Sequence, residues 1–255
     1  MFITNGQMVS MLLAPIIPLI VALGGCALLY HYTNKERTGI LNSFGYGLIA
    51  FGIQTLVYEL VVVLVQKYDW LQNVLLANRV TMLVILPVVY SVLIALCLCW
   101  GVGKVNQEKK SLIRSAAMGI GFGMGNVIWN ILVPYVSSMY YAARINTGSF
   151  VGSDELALSI SEIRPLAVML DSLKSIYLIV IYMALGYVVG RYLNAAKSLL
   201  IVFLVQCFLS VTNALVRQYV TSEVAGTVIL HSIFIVTALA GGFLIHKWLT
   251  KQARG

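Results

Sequence analysis

The sequence predicts an all-α membrane protein in which about seven transmembrane helices form one polytopic bundle. Two features of its composition support this prediction: 60% of the 255 residues are hydrophobic and only 10% are charged. A soluble domain has roughly 25% charged residues, so this chain lacks the polar side chains that a water-facing surface needs. In addition, the apolar residues are grouped in runs of about 20 or more, the length at which a helix crosses a bilayer.

The apolar runs follow one another along the chain with short polar segments between them. They show no alternation of period two and are far longer than the strands of a membrane barrel, which favours helices. We assign all of residues 1–255 to this one transmembrane domain. The approximate bounds of the predicted helices are 8–30, 41–65, 81–103, 115–143, 165–190, 198–220 and 225–245.

The distribution of lysine and arginine predicts how the bundle is oriented. Eleven of the 17 basic residues fall in four segments that share one side of the membrane: Lys35, Arg37, Lys104, Lys109, Lys110, Arg114, Arg191, Lys197, Lys247, Lys251 and Arg254. By the positive-inside rule this side is the cytoplasm, so the C-terminus is inside and, with an odd number of crossings, the N-terminus is outside. Because this distribution accounts for the formal charge of +8, we do not expect the chain to bind nucleic acid.

Several ionisable residues lie within the predicted helices, where insertion of a charge is penalised by roughly 2.5–3.5 kcal/mol. Asp171 and Lys174 are three residues apart and share one helix face. They either neutralise each other and hold helices together, or line a polar cavity. Glu59, deep in the second helix, either makes a structural hydrogen bond or contributes to a cavity. Arg217, near the outer end of the sixth helix, is expected to extend to the interface.

The fourth helix has the most informative local pattern. Glycine occupies every second position of residues 119–125, which allows a neighbouring helix or a ligand to approach the backbone closely. Asn126 and Asn130 follow this run and lie one helical turn apart, so both side chains point in the same direction.

This stretch, with the order of helices and the short basic loops, resembles the YhfC-type intramembrane proteases, which are relatives of the glutamic Abi/CPBP-like membrane peptidases. The corresponding family motif is Gly-x-Gly-His-Gly-x-x-Glu, and its His and Glu serve the active site. Gly119, Gly121 and Gly123 match, but Phe122 stands at the His position and Asn126 at the Glu position. The family's Glu-Glu-x-x-Arg motif is also missing from the preceding helix. The resemblance therefore implies a degenerate member, a protease-like fold without its catalytic groups.

We therefore expect a non-catalytic accessory or binding subunit in a bacterial-type cytoplasmic membrane. Its expected partners are the lipid bilayer and a membrane protein, a hydrophobic peptide or a small ligand. No His-Glu-x-x-His motif, P-loop or nucleophile elbow occurs in the sequence, and we expect neither a metal nor a cofactor. The residues predicted to line the site are Phe122, Asn126, Asn130 and Asp171, with Lys174 and Glu59 behind them.

Three other functions remain open at this point. Polar residues at mid-membrane depth and a glycine-rich helix also suit a transporter or a substrate-capture subunit for a small molecule. An intramembrane enzyme with unrecognised chemistry would use Asp171, Glu59 or His231, although a hydrogen-bonded structural histidine is the other interpretation of His231. A purely structural scaffold is the last alternative.

The segment 145–164 is the only sizeable external loop in the predicted topology. Residues 154–163 are predicted to form a short helix, because Ser153 suits the N-cap position and acidic residues occupy the first turn. Such a helix on the outer surface either roofs a cavity, docks a partner or is part of a solvated linker.

Overall fold

The computed structural model describes residues 2–32, 37–75, 79–107, 111–192 and 195–252. Every regular element in these ranges is helical, as the sequence predicts. Five residues on which the predicted orientation partly rests, Met1, Lys35, Lys109, Lys110 and Arg254, lie outside the described residues. The elements are α1 (Asn5–Tyr32), α2 (Arg37–Lys67), α3 (Asp69–Leu75), α4 (Arg79–Val105), α5 (Leu112–Val127), a π-helical segment (Ile128–Leu132), α6 (Val133–Asn146), α7 (Asp154–Ser161), α8 (Pro165–Arg191), α9 (Ala195–Tyr219) and α10 (Glu223–Gln252).

Within the described ranges, seven helical spans are long and apolar enough to cross a membrane, which is the architecture of a multi-pass membrane protein. They occur in the predicted order, and the fourth span joins α5, the π-helical segment and α6. The helices extend beyond the predicted bounds because they continue past the apolar runs: the 31 residues of α2 cover about 46 Å, more than a hydrocarbon core of about 30 Å. Outward-facing apolar side chains such as Leu60, Val236 and Leu239 are more than 60% exposed, as expected for contact with lipid.

Helix α5 lies at the centre of the bundle, between α2 and α8. Its alternating glycines explain the close packing on both sides, because two residues rotate a helix by about 200° and so alternate positions face opposite neighbours. A Cβ atom at Gly119 would overlap the carbonyl of Tyr182 on α8, and one at Gly121 would overlap the carbonyl of Phe44 on α2. The sequence allowed either a neighbouring helix or a ligand to approach the glycine run. In the structure, neighbouring helices pack against Gly119 and Gly121.

The fourth span changes its helical register in the middle. The backbone N–H of Val133 donates to the carbonyl of Ile128, five residues earlier, which is the hydrogen bond of a π-helix. Pro134 follows at the start of α6 and has no N–H, so it cannot donate the α-helical bond to the carbonyl of Asn130. Short π-helical segments occur often at functional sites, and this one contains Asn130.

The beginning of α1 and the loop before α8 meet at one side of the bundle, which we call the N-terminal side. The N–H of Ile3 donates to Oδ1 of Asn146 at 2.7 Å, and Nε2 of Gln7 donates to the carbonyls of Ser161 and Ile163, both at 2.9 Å. Helix α7, predicted from the sequence, is confirmed, and the Ser153 hydroxyl caps it by accepting from the N–H of Leu156.

Candidate ligand-binding cavity

A cavity of about 370 Å³ lies among the helices, between the fourth span, α8 and α9. Its wall is rich in amide, hydroxyl and charged side chains, which is unusual for a site within membrane-spanning helices. The lining residues are Tyr90, Asn126, Asn130, Ile131, Asp171, Lys174, Ser175, Leu178, Tyr182, Gln206, Leu209, Ser210, Asn213, Arg217 and Phe234.

Helix α8 contributes one continuous face to this cavity. The spacing of Asp171, Lys174, Leu178 and Tyr182 is three or four residues at each step, so their side chains lie along one side of the helix. The Tyr135 hydroxyl, on α6, donates to Oδ2 of Asp171 at 2.9 Å. This hydrogen bond ties the carboxylate to the fourth span.

Lys174 connects α8 to α9. Its ammonium group donates to Oδ1 of Asn213 at 3.0 Å and lies 5.1 Å from the centre of the Phe234 ring. Among the residues that the structure describes, no carboxylate oxygen lies within 4.0 Å of this ammonium group. Asp171 and Lys174 thus have separate partners, on different helices, and both line the cavity rather than forming a direct ion pair.

Helix α9 supplies a polar stripe on its inner face. Gln206, Ser210, Asn213 and Arg217 are spaced by four, three and four residues, which places them in one row along the helix. Gln206 is only 2% exposed, and its Nε2 has no hydrogen-bond acceptor among the described residues. Arg217 is exposed and lies in the last turn of α9, where the cavity meets the N-terminal side of the bundle.

The fourth span supplies two further amides. Asn126 is 6% exposed and lies near the end of α5, and Asn130 lies on the π-helical segment one turn further along. Both line the cavity, in agreement with their predicted common direction. Together with Gln206 and Asn213, they give the cavity four amide side chains that can both donate and accept hydrogen bonds.

Four of the six residues predicted from the sequence therefore lie together: Asn126, Asn130, Asp171 and Lys174. Phe122 does not line the cavity, because it is fully buried between Phe51 and Tyr182, with ring centres 5.3 and 5.0 Å away. Glu59 is also outside the lining, and its side chain is exposed on α2.

The α9 residues were not part of the predicted site. Their spacing over positions 206–217 is a helical polar stripe that is visible in the sequence, and it would have identified this face of α9. Tyr90 and Tyr182 carry no such signal, because aromatic residues are common throughout these helices.

A second cavity, of about 680 Å³, lies beside α7 at the N-terminal side. Tyr135, Glu162 and Arg164 are among its lining residues. Tyr135 connects the two sites, since it lines this cavity and its hydroxyl donates to Asp171, which lines the first one.

No protein-family model, curated protein or solved structure matches this chain.

Proposed function

We propose that this chain is a non-catalytic membrane binding subunit whose polar cavity holds a small polar molecule. The observation that carries the proposal is that polar side chains from three membrane-spanning helices line one cavity: Asn126 on α5, Lys174 on α8, and Gln206 and Asn213 on α9. Polar side chains at this depth are costly unless they have partners or a task. A bound polar molecule supplies hydrogen bonds to all of them at once.

The size and polarity of the cavity favour a small ligand over a hydrophobic peptide or a transmembrane segment. Ligand pockets range from about 300 to 1,000 Å³, and a cavity of about 370 Å³ is near the lower end of that range. A transmembrane partner would need a long apolar groove lined by small residues. In α5, Gly119 and Gly121 already pack against α8 and α2.

The predicted orientation places this cavity on the outer side of a bacterial-type cytoplasmic membrane. The basic segments give this orientation by the positive-inside rule, with the N-terminal side of the bundle outside. A molecule would then enter from the exterior, past Arg217 in the last turn of α9.

Transport of the bound molecule is the second candidate function. The π-helical segment interrupts the fourth span beside the cavity, at Asn130, and irregular helices at mid-membrane sites are typical of transporters. An accessory subunit would deliver the molecule to a membrane-protein partner, whereas a transporter would move it alone.

The enzyme alternative has weaker support from the geometry. Asp171 lines the cavity, but His231 packs its ring against Tyr177 at 6.0 Å and is not a lining residue, and Glu59 is exposed on α2. An acid–base pair needs both groups within reach of one substrate atom.

We also propose a relation to the YhfC-type proteases. Asn126, at the position of the family's Glu, lines the cavity, whereas Phe122, at the position of its His, packs in the core behind Tyr182. We infer a protease-like fold whose former active-site region now binds instead of cleaving.

The test is to purify the tagged protein from its native membrane in mild detergent and to identify released small molecules by mass spectrometry. We expect one polar compound in stoichiometric amount, lost from the Asn126→Leu variant and retained by a Gln54→Leu control. Gln54 is a fully buried amide of α2 that does not line the cavity. A stoichiometric membrane protein with no small molecule, lost in the same variant, would contradict the small-ligand proposal.

A further inference from the structure

The cavity carries an excess of positive charge. Its lining contains the cations Lys174 and Arg217 and a single carboxylate, Asp171, so the formal charge of the lining is +1. The Asp171 carboxylate already accepts a hydrogen bond from Tyr135, which stabilises its charge from the side of the fourth span. A cation in a site of low dielectric constant strongly attracts an anion, because little solvent screens the two charges.

Lys174 has unused capacity to bind such an anion. An ammonium group has three donors, and one of them is used by Oδ1 of Asn213. Arg217 lies one helical turn beyond Asn213 on α9, so its guanidinium belongs to the same end of the cavity. The two cations thus define a positively charged end at the N-terminal side.

The opposite end of the cavity has a donor without an acceptor. Gln206 lines this end, and the Nε2 atom of its buried amide has no partner among the described residues, which is costly for a polar group. Gln206 lies seven residues before Asn213, so the two levels are about 10 Å apart along α9. Since long side chains reach inward from both levels, a ligand that satisfies both ends is extended but shorter than this separation, with its charge at one end and a polar group at the other.

We propose that the ligand is a small, soluble organic anion, bound with its carboxylate or phosphate group between Lys174 and Arg217 and with an uncharged polar group hydrogen-bonded to the amide of Gln206. This inference rests on the proposed function and specifies its ligand class. Arg217 and Lys174 select for negative charge, and the amides of Asn126, Asn130 and Gln206 select for a polar body over a hydrocarbon chain.

The experiment measures thermal unfolding and binding of the whole protein in discs of phosphatidylcholine. The probes form matched pairs at equal ionic strength: gluconate with sorbitol, and glucose 6-phosphate with glucose. Glucosamine serves as the cationic probe. We expect stabilisation by gluconate, glucose 6-phosphate or both, and none by the neutral and cationic compounds. Binding of gluconate would indicate a carboxylate ligand, and binding of glucose 6-phosphate would indicate a phosphate ligand.

Two variants test the assigned residues. Lys174→Gln keeps a hydrogen-bonding group near Asn213 but removes the charge, and we expect the affinity for the anion to fall about 10- to 100-fold. Arg144→Gln is its control, because Arg144 lies at the N-terminal side against Tyr140 and outside the cavity. Gln206→Leu should weaken anion binding about 10-fold, while Gln54→Leu should leave it unchanged.

The outcomes separate this inference from the proposed function. If the charged and neutral members of a pair bind equally and Lys174→Gln has no effect, the ligand is not an anion. The proposal that the cavity binds a small polar molecule would still stand. The same holds if the compound released from the native protein is neutral or cationic. If only phosphatidylglycerol added to the discs stabilises the protein, the cavity binds a lipid headgroup. This result would contradict the proposal that the ligand is a soluble anion. If Lys174→Gln does not fold, the matched pairs on the unaltered protein decide the question.

Discussion

The ammonium group of Lys174 on α8 donates to the amide oxygen of Asn213 on α9 at 3.0 Å, and both side chains line the polar cavity of the bundle. The bond joins two membrane-spanning helices through polar side chains, which are rare in such helices. The bond therefore contributes both to the packing of α8 on α9 and to the charged end of the candidate site.

The first prediction concerns this bond. Asn213→Leu removes the acceptor of a partly buried cation and should lower the free energy of unfolding by about 1–3 kcal/mol. Adding Lys174→Met removes the cation as well, so the double variant should recover much of the loss. Thermal unfolding in detergent of the two single variants and the double variant measures this coupling. Additive losses would show that the two side chains act independently.

The second prediction concerns the close packing of α5. Gly121→Ala places a Cβ against the carbonyl of Phe44, a backbone atom that cannot rotate away, and should destabilise the bundle by at least about 1–3 kcal/mol. Gly24→Ala is the matched control, because nothing lies within 4 Å of a Cβ at that position of α1. Yield and unfolding temperature of the two variants are compared. Equal behaviour would contradict the tight contact between α5 and α2.

The third prediction concerns the hydrogen bond between Tyr135 and Asp171. Tyr135→Phe keeps the ring but removes the donor, so it should cost about 0.6 kcal/mol of stability, the average for such bonds within membranes. Tyr141→Phe is the control, since Tyr141 makes ring contacts with Tyr140 and Phe150 that the substitution preserves. A loss of the same size in both variants would argue against a specific role for the Tyr135 hydroxyl.

The fourth prediction tests the proposed orientation. In a variant without the four native cysteines, a cysteine at Val151, which is 85% exposed in the loop before α7, should react with a membrane-impermeant maleimide in intact cells. A cysteine at Gln107, exposed beyond the end of α4, should react only after the membrane is opened. The reverse pattern would place the N-terminus and the cavity opening in the cytoplasm.

The helices could be predicted from the sequence because length and apolarity alone decide whether a segment crosses a bilayer. The helix α7 was also predictable, since Ser153 and the acidic first turn are local signals. The break in the fourth span was not, because the π-helical register at Ile128–Leu132 depends on how the flanking segments pack, and Pro134 alone does not specify it.

The site was predictable in part. Asp171 and Lys174 are conspicuous because charges are rare in membrane helices, and Asn126 and Asn130 share a helix face. Glu59 is equally conspicuous, but its direction depends on the rotation of α2 against its neighbours, which the sequence does not show. Gln206 is uncharged and therefore less visible, although it is the most deeply buried amide of the cavity.

The most direct test of the central claim is native mass spectrometry of the detergent-purified protein. The account predicts one bound molecule of metabolite size per chain, at a clearly lower occupancy in Gln206→Leu than in Gln54→Leu, because only the first of these buried amides lines the cavity. A bare chain in all three proteins, or a bound mass that both variants retain at equal occupancy, would contradict a ligand held in this cavity.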